Sequence, residues 1–198
     1  MPLPSGTSIA SRVRLNQGPE IPWLGLGVFQ SEPGSVTRNA VTYALEAGYR
    51  AIDTAAMYRN EADVGEAVRH SGLARDEVFV TTKLWHTDHG FDPALKAGRA
   101  SAERLGLGPI DLYLIHWPRA NSPQDRLDSW KALAQLQREG VCRAVGVSNY
   151  TVRHLENCVP TPTSFRPSTR WSSTRSSSTR SSFGIATRTG SASRPGRH

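Results

Sequence analysis

The sequence predicts an α/β fold in which short buried strands alternate with helices. Five apolar runs have the length of buried strands, and each is followed by a segment whose apolar residues have helical spacing. Glycines follow four of these segments, at Gly48, Gly72, Gly106 and Gly140, where helix C-termini are expected. This alternation indicates a parallel sheet with right-handed crossovers.

The period of the apolar residues places the elements along the chain. A small hairpin is predicted over 12–18 and 19–22, ahead of the first strand. The predicted strands are 23–29, 50–55, 78–84, 110–117 and 142–148. The predicted helices are 36–47, 62–70, 93–105, 125–138 and 152–159. Five β/α units are therefore expected within residues 1–159.

Length and composition exclude several classes of protein. The chain has 198 residues, of which 37% are hydrophobic, and this excludes wholesale disorder. No apolar run of about 18 residues is present, so no membrane span is predicted. The N-terminal residues contain no apolar signal region, and two cysteines do not make a disulfide scaffold. A cytoplasmic protein is expected.

The net charge of +7 belongs to the C-terminal part of the chain. Residues 160–198 contain seven Arg, no Lys, Asp or Glu, and 11 Ser with 7 Thr, so residues 1–159 carry 17 basic and 17 acidic side chains. Such a segment buries too little apolar surface to offset its ordering entropy, and we predict a disordered tail. A basic tail can also bind nucleic acid nonspecifically, which is one alternative function.

Polar residues stand at the predicted carboxyl ends of four strands, where α/β folds place their chemistry. They are Asp53, Lys83, His116 and the pair Ser148-Asn149, with Tyr58 following Asp53 in the next loop. Each has a structural interpretation as well, as a helix cap, a solvated lysine or a buried structural histidine. Their joint position at successive strand ends favours a catalytic site.

Several motifs containing these residues resemble the aldo-keto reductase family, in the family's order. The resemblance covers roughly 12–159 and rests on long motifs. They are Leu24-Gly25-Leu26-Gly27, Ile52-Asp53-Thr54-Ala55 with Tyr58-Arg59-Asn60-Glu61, Thr82-Lys83-Leu84-Trp85, Asp111-Leu112-Tyr113-Leu114-Ile115-His116-Trp117-Pro118, and Gly146-Val147-Ser148-Asn149-Tyr150.

The resemblance implies a (β/α)8 TIM barrel that reduces an aldehyde or ketone with NADPH, or with NADH. It makes Asp53, Tyr58, Lys83 and His116 the catalytic residues. Tyr58 would be the general acid, and Lys83 would lower its pKa from the usual value of about 10. Asp53 would keep Lys83 charged and oriented, and His116 would bind the carbonyl oxygen.

The same resemblance implies the binding residues. Gly27, Val28, Asp53, Ser148 and Asn149 would contact the cofactor, while Phe29, Trp85, His116 and Trp117 would contact substrate. The position of Val28 is often Thr in the family. No metal is expected, although His86 and His89 are three residues apart.

Five β/α units are too few for a closed barrel of eight, which typically needs about 250 residues. The first and fifth strands are expected to have open edges, and half of the cofactor site is missing. The genetic code permits a choice of codons for residues 165–176 that can also be read one base earlier. That second reading gives an Asn-Gln pair, which resembles the family's sixth strand. We therefore interpret 1–159 as an incomplete barrel and 160–198 as a reading-frame-shift product.

The sequence thus predicts an NADPH-dependent reductase of small carbonyl compounds, monomeric if folded, without a membrane partner or a specific nucleic-acid partner. One alternative is an inactive, truncated member of the family. Another is a nonspecific nucleic-acid binder that uses its basic tail.

Overall fold

A parallel sheet flanked by helices forms the body of the computed structural model, which describes residues 8–15, 18–119, 121–158 and 183–184. Strands β3 to β7 lie side by side in chain order and pair in parallel, which confirms the predicted fold class of an incomplete barrel. The strands are β1 Arg12–Arg14, β2 Glu20–Pro22, β3 Leu26–Gly27, β4 Ala51–Asp53, β5 Phe79–Leu84, β6 Ile110–Ile115, β7 Cys142–Ser148 and β8 Phe183–Gly184.

The five helices begin and end within about two residues of their predicted bounds. Helix α4 starts after Ser122, whose hydroxyl accepts a hydrogen bond from the Asp125 amide at 3.1 Å, and Pro123 occupies its first turn. No described helix has the length and apolar character needed to cross a membrane. The helices are α1 Ser35–Glu46, α2 Glu61–His70, α3 Phe91–Leu105, α4 Pro123–Arg138 and α5 Val152–Cys158.

Alternate residues of the strands build two separate cores. On β6, Tyr113 and Ile115 pack into the larger core with residues of the helices, whereas Leu112 and Leu114 belong to a smaller core. The predicted hairpin is confirmed by the antiparallel pairing of β1 with β2. Residues Leu15 and Ile21 of this hairpin pack against the smaller core, so the hairpin covers the inner sheet face at the end where the strands begin.

Strand β3 is much shorter than the run of 23–29 that the sequence predicts. Only Leu26–Gly27 pair with β4, and Trp23 and Leu24 before them are exposed. Within the described residues β3 has a neighbour on one side only, so the flanking apolar residues lack a second strand that would cover them. The apolar run therefore indicated a strand but not its length.

At its carboxyl end, over Val147 and Ser148, strand β7 differs from the open edge expected for the fifth strand. Val147 and Ser148 pair antiparallel with Gly184 and Phe183 of β8. Pairing satisfies backbone groups that an open edge would leave exposed. Disorder was predicted for 160–198, and apart from 183–184 these residues lie outside those that the structure describes.

Helices α2 and α3 approach closely at Gly65. A Cβ atom at this position would lie 1.8 Å from the carbonyl oxygen of Leu105, which belongs to the backbone and cannot rotate away. Arg69 on the same helix donates a hydrogen bond to that carbonyl at 2.7 Å. The absence of a side chain at Gly65 thus sets the distance between the helix that follows Tyr58 and its neighbour.

We expect Gly65→Ala to destabilise the protein although alanine is the better helix former. The helix propensity gain is about 1 kcal/mol, and the clash with backbone costs about 1–3 kcal/mol or more. The midpoint of denaturant unfolding should therefore fall. Gly27→Ala is the control, because a Cβ at Gly27 meets no atom within 4 Å. Equal midpoints for the two variants would contradict the close packing.

Candidate active site

The carboxyl ends of β4, β5 and β6 bring three predicted catalytic residues to one rim of the sheet. Lys83 stands four residues beyond Phe79, so both side chains lie on the inner face. Asp53 pairs in register with Thr81 of β5, two residues before Lys83, and His116 follows the end of β6. The inner face is therefore apolar at the hairpin end and polar at the opposite end.

Lys83 and Asp53 form a buried ion pair at this rim. The Lys83 Nζ atom donates hydrogen bonds to Asp53 Oδ1 at 2.5 Å and to the Thr54 carbonyl at 2.9 Å. The Lys83 side chain is 4% exposed and that of Asp53 is 29% exposed. Burial lowers the pKa of Lys83 and raises that of Asp53, and the partner charge opposes the shift in each case.

Tyr58 lies directly against this pair. It ends a short 3-10 turn, Ala56–Tyr58, and its ring centroid is 5.2 Å from Lys83 Nζ. The ring packs against Phe29 at 5.1 Å and against the edge of the His116 ring at 5.7 Å, centroid to centroid. The structure thus brings all four predicted catalytic residues together.

The pKa of Tyr58 differs from the sequence-based expectation. Burial, followed by the negative charge of Asp53, raises the Tyr58 pKa to about 12 instead of lowering it. The Lys83 ammonium lies over the ring, and burial together with the Asp53 charge outweighs its stabilisation of the phenolate. Tyr58 is therefore a protonated phenol at neutral pH. It can donate its proton to a strongly basic acceptor but does not release it to water at this pH.

His116 is surrounded by aromatic rings. The Trp85 ring lies 5.3 Å from it and the Trp117 ring 6.3 Å, centroid to centroid. Asn149, which has a left-handed backbone at φ 62°, donates a hydrogen bond from Nδ2 to the His116 carbonyl at 2.8 Å. Burial, and then the positive charge of Lys83, lower the pKa of His116 to about 4.

His116 should therefore titrate near pH 4 in the folded chain, rather than near 6.5. Between these values the unfolded chain binds a proton at His116 that the folded chain does not, so this residue lowers stability as pH falls from 6.5 to about 4. Histidine NMR titration can measure the midpoint, with His116→Asn to assign the signal. A midpoint at or above 6 would contradict the burial of this imidazole.

The predicted cofactor residues occupy different environments. Gly27 leaves open space beside β3, which allows close approach of a ligand. The Val28 side chain is buried in the larger core, and its amide donates to the Asp53 carbonyl at 3.0 Å. Ser148 Oγ accepts a hydrogen bond from Asn149 Nδ2 at 3.0 Å, and it keeps its own proton to donate.

Asp53 Oδ2 provides a test of whether a cofactor fits. This oxygen is buried and has no hydrogen-bond partner among the described residues. An unpaired buried acceptor is costly, and a bound hydroxyl group would satisfy it. Together with the Ser148 donor and the open space at Gly27, this acceptor fits a sugar-containing ligand with an amide-bearing ring.

Asn60 lies beside the candidate site, and no role was assigned to it from the sequence. It is fully buried, accepts a hydrogen bond from Thr54 Oγ1 at 2.7 Å, and donates to the carbonyls of Val28 at 3.0 Å and Ser31 at 3.3 Å. Asn60 thus joins β4 to the loop after β3, two residues from Tyr58. Its position in the motif, two residues after Tyr58, was the sequence signal that could have identified it.

The two histidines after Trp85 do not form a metal centre with other residues. Among the described residues, no group of three or more His, Cys, Asp or Glu side chains could hold a metal ion. The His86 ring packs on Trp85 at 4.1 Å, and His89 Nδ1 lies 3.2 Å from Ser129 Oγ of α4.

The phenol, the ammonium–carboxylate pair and the imidazole lie at the carboxyl rim of a parallel barrel segment, where α/β barrels carry their active sites. The chain belongs to the Aldo/keto reductase family, whose profile matches residues 24–173. This confirms the resemblance identified from the motifs. The match extends past residue 159, where the sequence analysis placed the domain boundary.

Curated relatives share about half of their sequence with this chain in the aligned part. The glyoxal reductase of Bacillus subtilis is 48% identical over 150 residues, which are 76% of this chain and 53% of that protein. The 9,11-endoperoxide prostaglandin H2 reductase of Trypanosoma cruzi is 50% identical over 143 residues, covering 72% and 50%. The chain spans about half the length of these relatives.

Solved structures show the same fold over the same part of the chain. An aldo/keto reductase from Brucella melitensis aligns with a TM-score of 0.71 and 45% identity, over 75% of this chain and 57% of that one. The Bombyx mori aldo-keto reductase in complex with NADP aligns with a TM-score of 0.64 and 40% identity, over 71% and 51%.

Proposed function

We propose that this chain reduces the carbonyl group of small aldehydes or ketones, with NADPH or NADH as the hydride donor. The observation that carries the proposal is the position of Tyr58, whose ring lies 5.2 Å from Lys83 Nζ and 5.7 Å from the His116 ring. A proton donor, a buried cation and an imidazole in contact are the groups that carbonyl reduction requires.

In the proposed reaction Tyr58 donates its proton to the carbonyl oxygen. Reduction places negative charge on that oxygen, which becomes far more basic than the phenol, so a Tyr58 pKa of about 12 still permits the transfer. His116 is neutral at pH 7 and binds the same oxygen without charge. The Lys83 ammonium beside Tyr58 stabilises the phenolate that remains.

The chain's own residues orient the cofactor in this proposal. When bound, the reduced nicotinamide supplies the hydride. Ser148 would donate a hydrogen bond to the carboxamide and Asn149 Oδ1 would accept one, because Asn149 Nδ2 is already bonded to the His116 carbonyl. Asp53 Oδ2 would accept a hydrogen bond from a ribose hydroxyl, and Gly27 would leave room for the ring beside β3.

The proposed substrates are small carbonyl compounds with an adjacent polar group. Phe29 and Trp117 are 58% and 42% exposed at the rim, and with Trp85 they form apolar walls around Tyr58 and His116. The glyoxal reductase among the relatives supports a dicarbonyl substrate. We propose glyoxal-like dicarbonyls as the first substrates to assay.

The proposal is tested with the full chain and two readouts. NADPH consumption is followed with glyoxal, methylglyoxal and simple aldehydes, and NADPH binding is measured as a rise in melting temperature. Turnover with dinucleotide binding supports the proposal. A folded chain that gains no stability from millimolar NADPH and consumes none would contradict it and would favour the inactive, truncated alternative.

We also propose that the reductase reading frame ends near residue 160, inside the 24–173 stretch that the family profile matches, and that the remainder is a reading-frame-shift product. The Arg, Ser and Thr composition of 160–198 supports this, and the gene's nucleotide sequence tests it. A coding sequence with no family-like segment in another frame would contradict it. Cytoplasmic location and a monomeric state stay predictions.

A further inference from the structure

A buried carboxylate lies behind the catalytic rim, on the helix side of the sheet. Glu61 is the first residue of α2, and its side chain is 1% exposed. It accepts hydrogen bonds from Thr82 Oγ1 at 2.5 Å and from Arg104 Nε at 2.7 Å. A buried carboxylate costs free energy unless it is paired, so this arrangement is specific.

Glu61 packs on the outer face of strand β5, and the Lys83 side chain of that strand lies on its inner face. Thr82 and Lys83 are consecutive residues of β5, and consecutive side chains of a strand point to opposite faces. Glu61 therefore holds the outer face of β5 through Thr82. On the inner face, the same strand presents Lys83 to Asp53.

The start of α2 also carries the loop that positions Tyr58. Only Arg59 and Asn60 separate Tyr58 from Glu61, and Arg59 has a left-handed backbone at φ 59° that turns the chain into the helix. Asn60 is anchored by three hydrogen bonds. Anchoring Glu61 to β5 thus couples the position of Tyr58 to that of Lys83.

We propose that Glu61 is a positioning residue of the reductase site, which keeps Lys83 in its charged form and ties the Tyr58 loop to β5. The proposal rests on the proposed function for the role of Lys83. The charged or titratable groups facing Lys83 are Asp53, Tyr58 and His116, with Glu61 behind the strand.

The charges around Lys83 support this assignment. Burial lowers the pKa of Lys83, while the charges of Asp53 and Glu61 both raise it. Glu61 itself faces Arg104, Thr82 and the buried Tyr113 phenol. Because the Arg104 side chain is 44% exposed, its removal leaves the Glu61 charge less balanced without opening a large cavity.

The test is a lysine titration in the full chain. The chain has three lysines, Lys83, Lys96 and Lys131, so selectively labelled lysine gives few NMR signals, and Lys83→Met assigns one of them. Glu61→Gln should lower the Lys83 midpoint, because the Glu61 charge raises the pKa of Lys83. Arg104→Gln should raise it. Glu66→Gln, on the same helix, is the matched control.

Opposite shifts from the two variants are the expected result, because a merely structural role would move the midpoint in one direction or not at all. Shifts of the same sign, or none, would overturn the proposal. Arg104→Gln decides the matter alone if Glu61→Gln does not fold. The titration needs no turnover, so it measures the coupling of Glu61 to Lys83 even in an inactive chain, and inactivity alone would contradict only the proposed function.

Discussion

Tyr58→Phe should abolish carbonyl reduction while leaving the fold and dinucleotide binding intact. The phenyl ring preserves the contacts with Phe29 and His116, whose centroids lie 5.1 and 5.7 Å away. Only the proton donor is lost, and general acid catalysis contributes about 10²–10⁴-fold to rate. We expect kcat/KM for a dicarbonyl substrate to fall by about that factor.

The controls separate chemistry from folding. The melting temperatures of Tyr58→Phe without NADPH and with NADPH should each match those of the parent, because the phenyl ring keeps its contacts with Phe29 and His116. Phe29→Leu provides a matched change in the neighbouring ring, which should affect KM more than kcat. Activity of Tyr58→Phe within a factor of two of the parent would remove Tyr58 from the reaction.

The fold was predictable because the apolar period of this chain is regular. Strand β7 was predicted at 142–148 and is observed as Cys142–Ser148. Strand β3 was predicted too long, since the number of strand neighbours, which sequence does not report, decides how far pairing extends. The pairing of β7 with Phe183–Gly184 had no local signal, because it joins residues about 36 positions apart.

The grouping of Asp53, Lys83 and His116 was predictable because they stand at the ends of successive strands, and parallel strands share one carboxyl edge. The pKa of Tyr58 was not predictable. The direction of its shift depends on the extent of burial and on whether the charge of Lys83 or that of Asp53 dominates. The supporting residues were harder still. Asn60 and Glu61 act through three-dimensional contacts with Val28, Thr82 and Arg104 that no spacing rule reports.

Lys83→Met should remove both activity and a measurable part of the stability. Methionine keeps the length of the buried chain but leaves Asp53 without the ammonium that lies 2.5 Å from it. Breaking a buried pair costs about 3–5 kcal/mol, and we expect about 1–3 kcal/mol because Asp53 is partly exposed. Activity should fall by about 100-fold or more, because no cation is left to stabilise the Tyr58 phenolate.

The pH dependence of this loss has a definite sign. Without Lys83, burial alone acts on Asp53 and its pKa rises further above the usual value of 3.8. The folded chain then holds a proton that the unfolded chain releases, so the destabilisation should grow as pH rises through the range between the two pKa values. Denaturant midpoints at pH 5 and pH 8 measure it.

The double variant Asp53→Asn/Lys83→Met distinguishes the two effects. Removing the stranded carboxylate should restore most of the lost stability, as neutral groups replace a buried pair at little cost. Activity should not return, since the cation beside Tyr58 is still missing. A double variant as unstable as Lys83→Met would show that the lysine stabilises the fold through contacts other than Asp53, and recovered activity would remove Lys83 from the reaction.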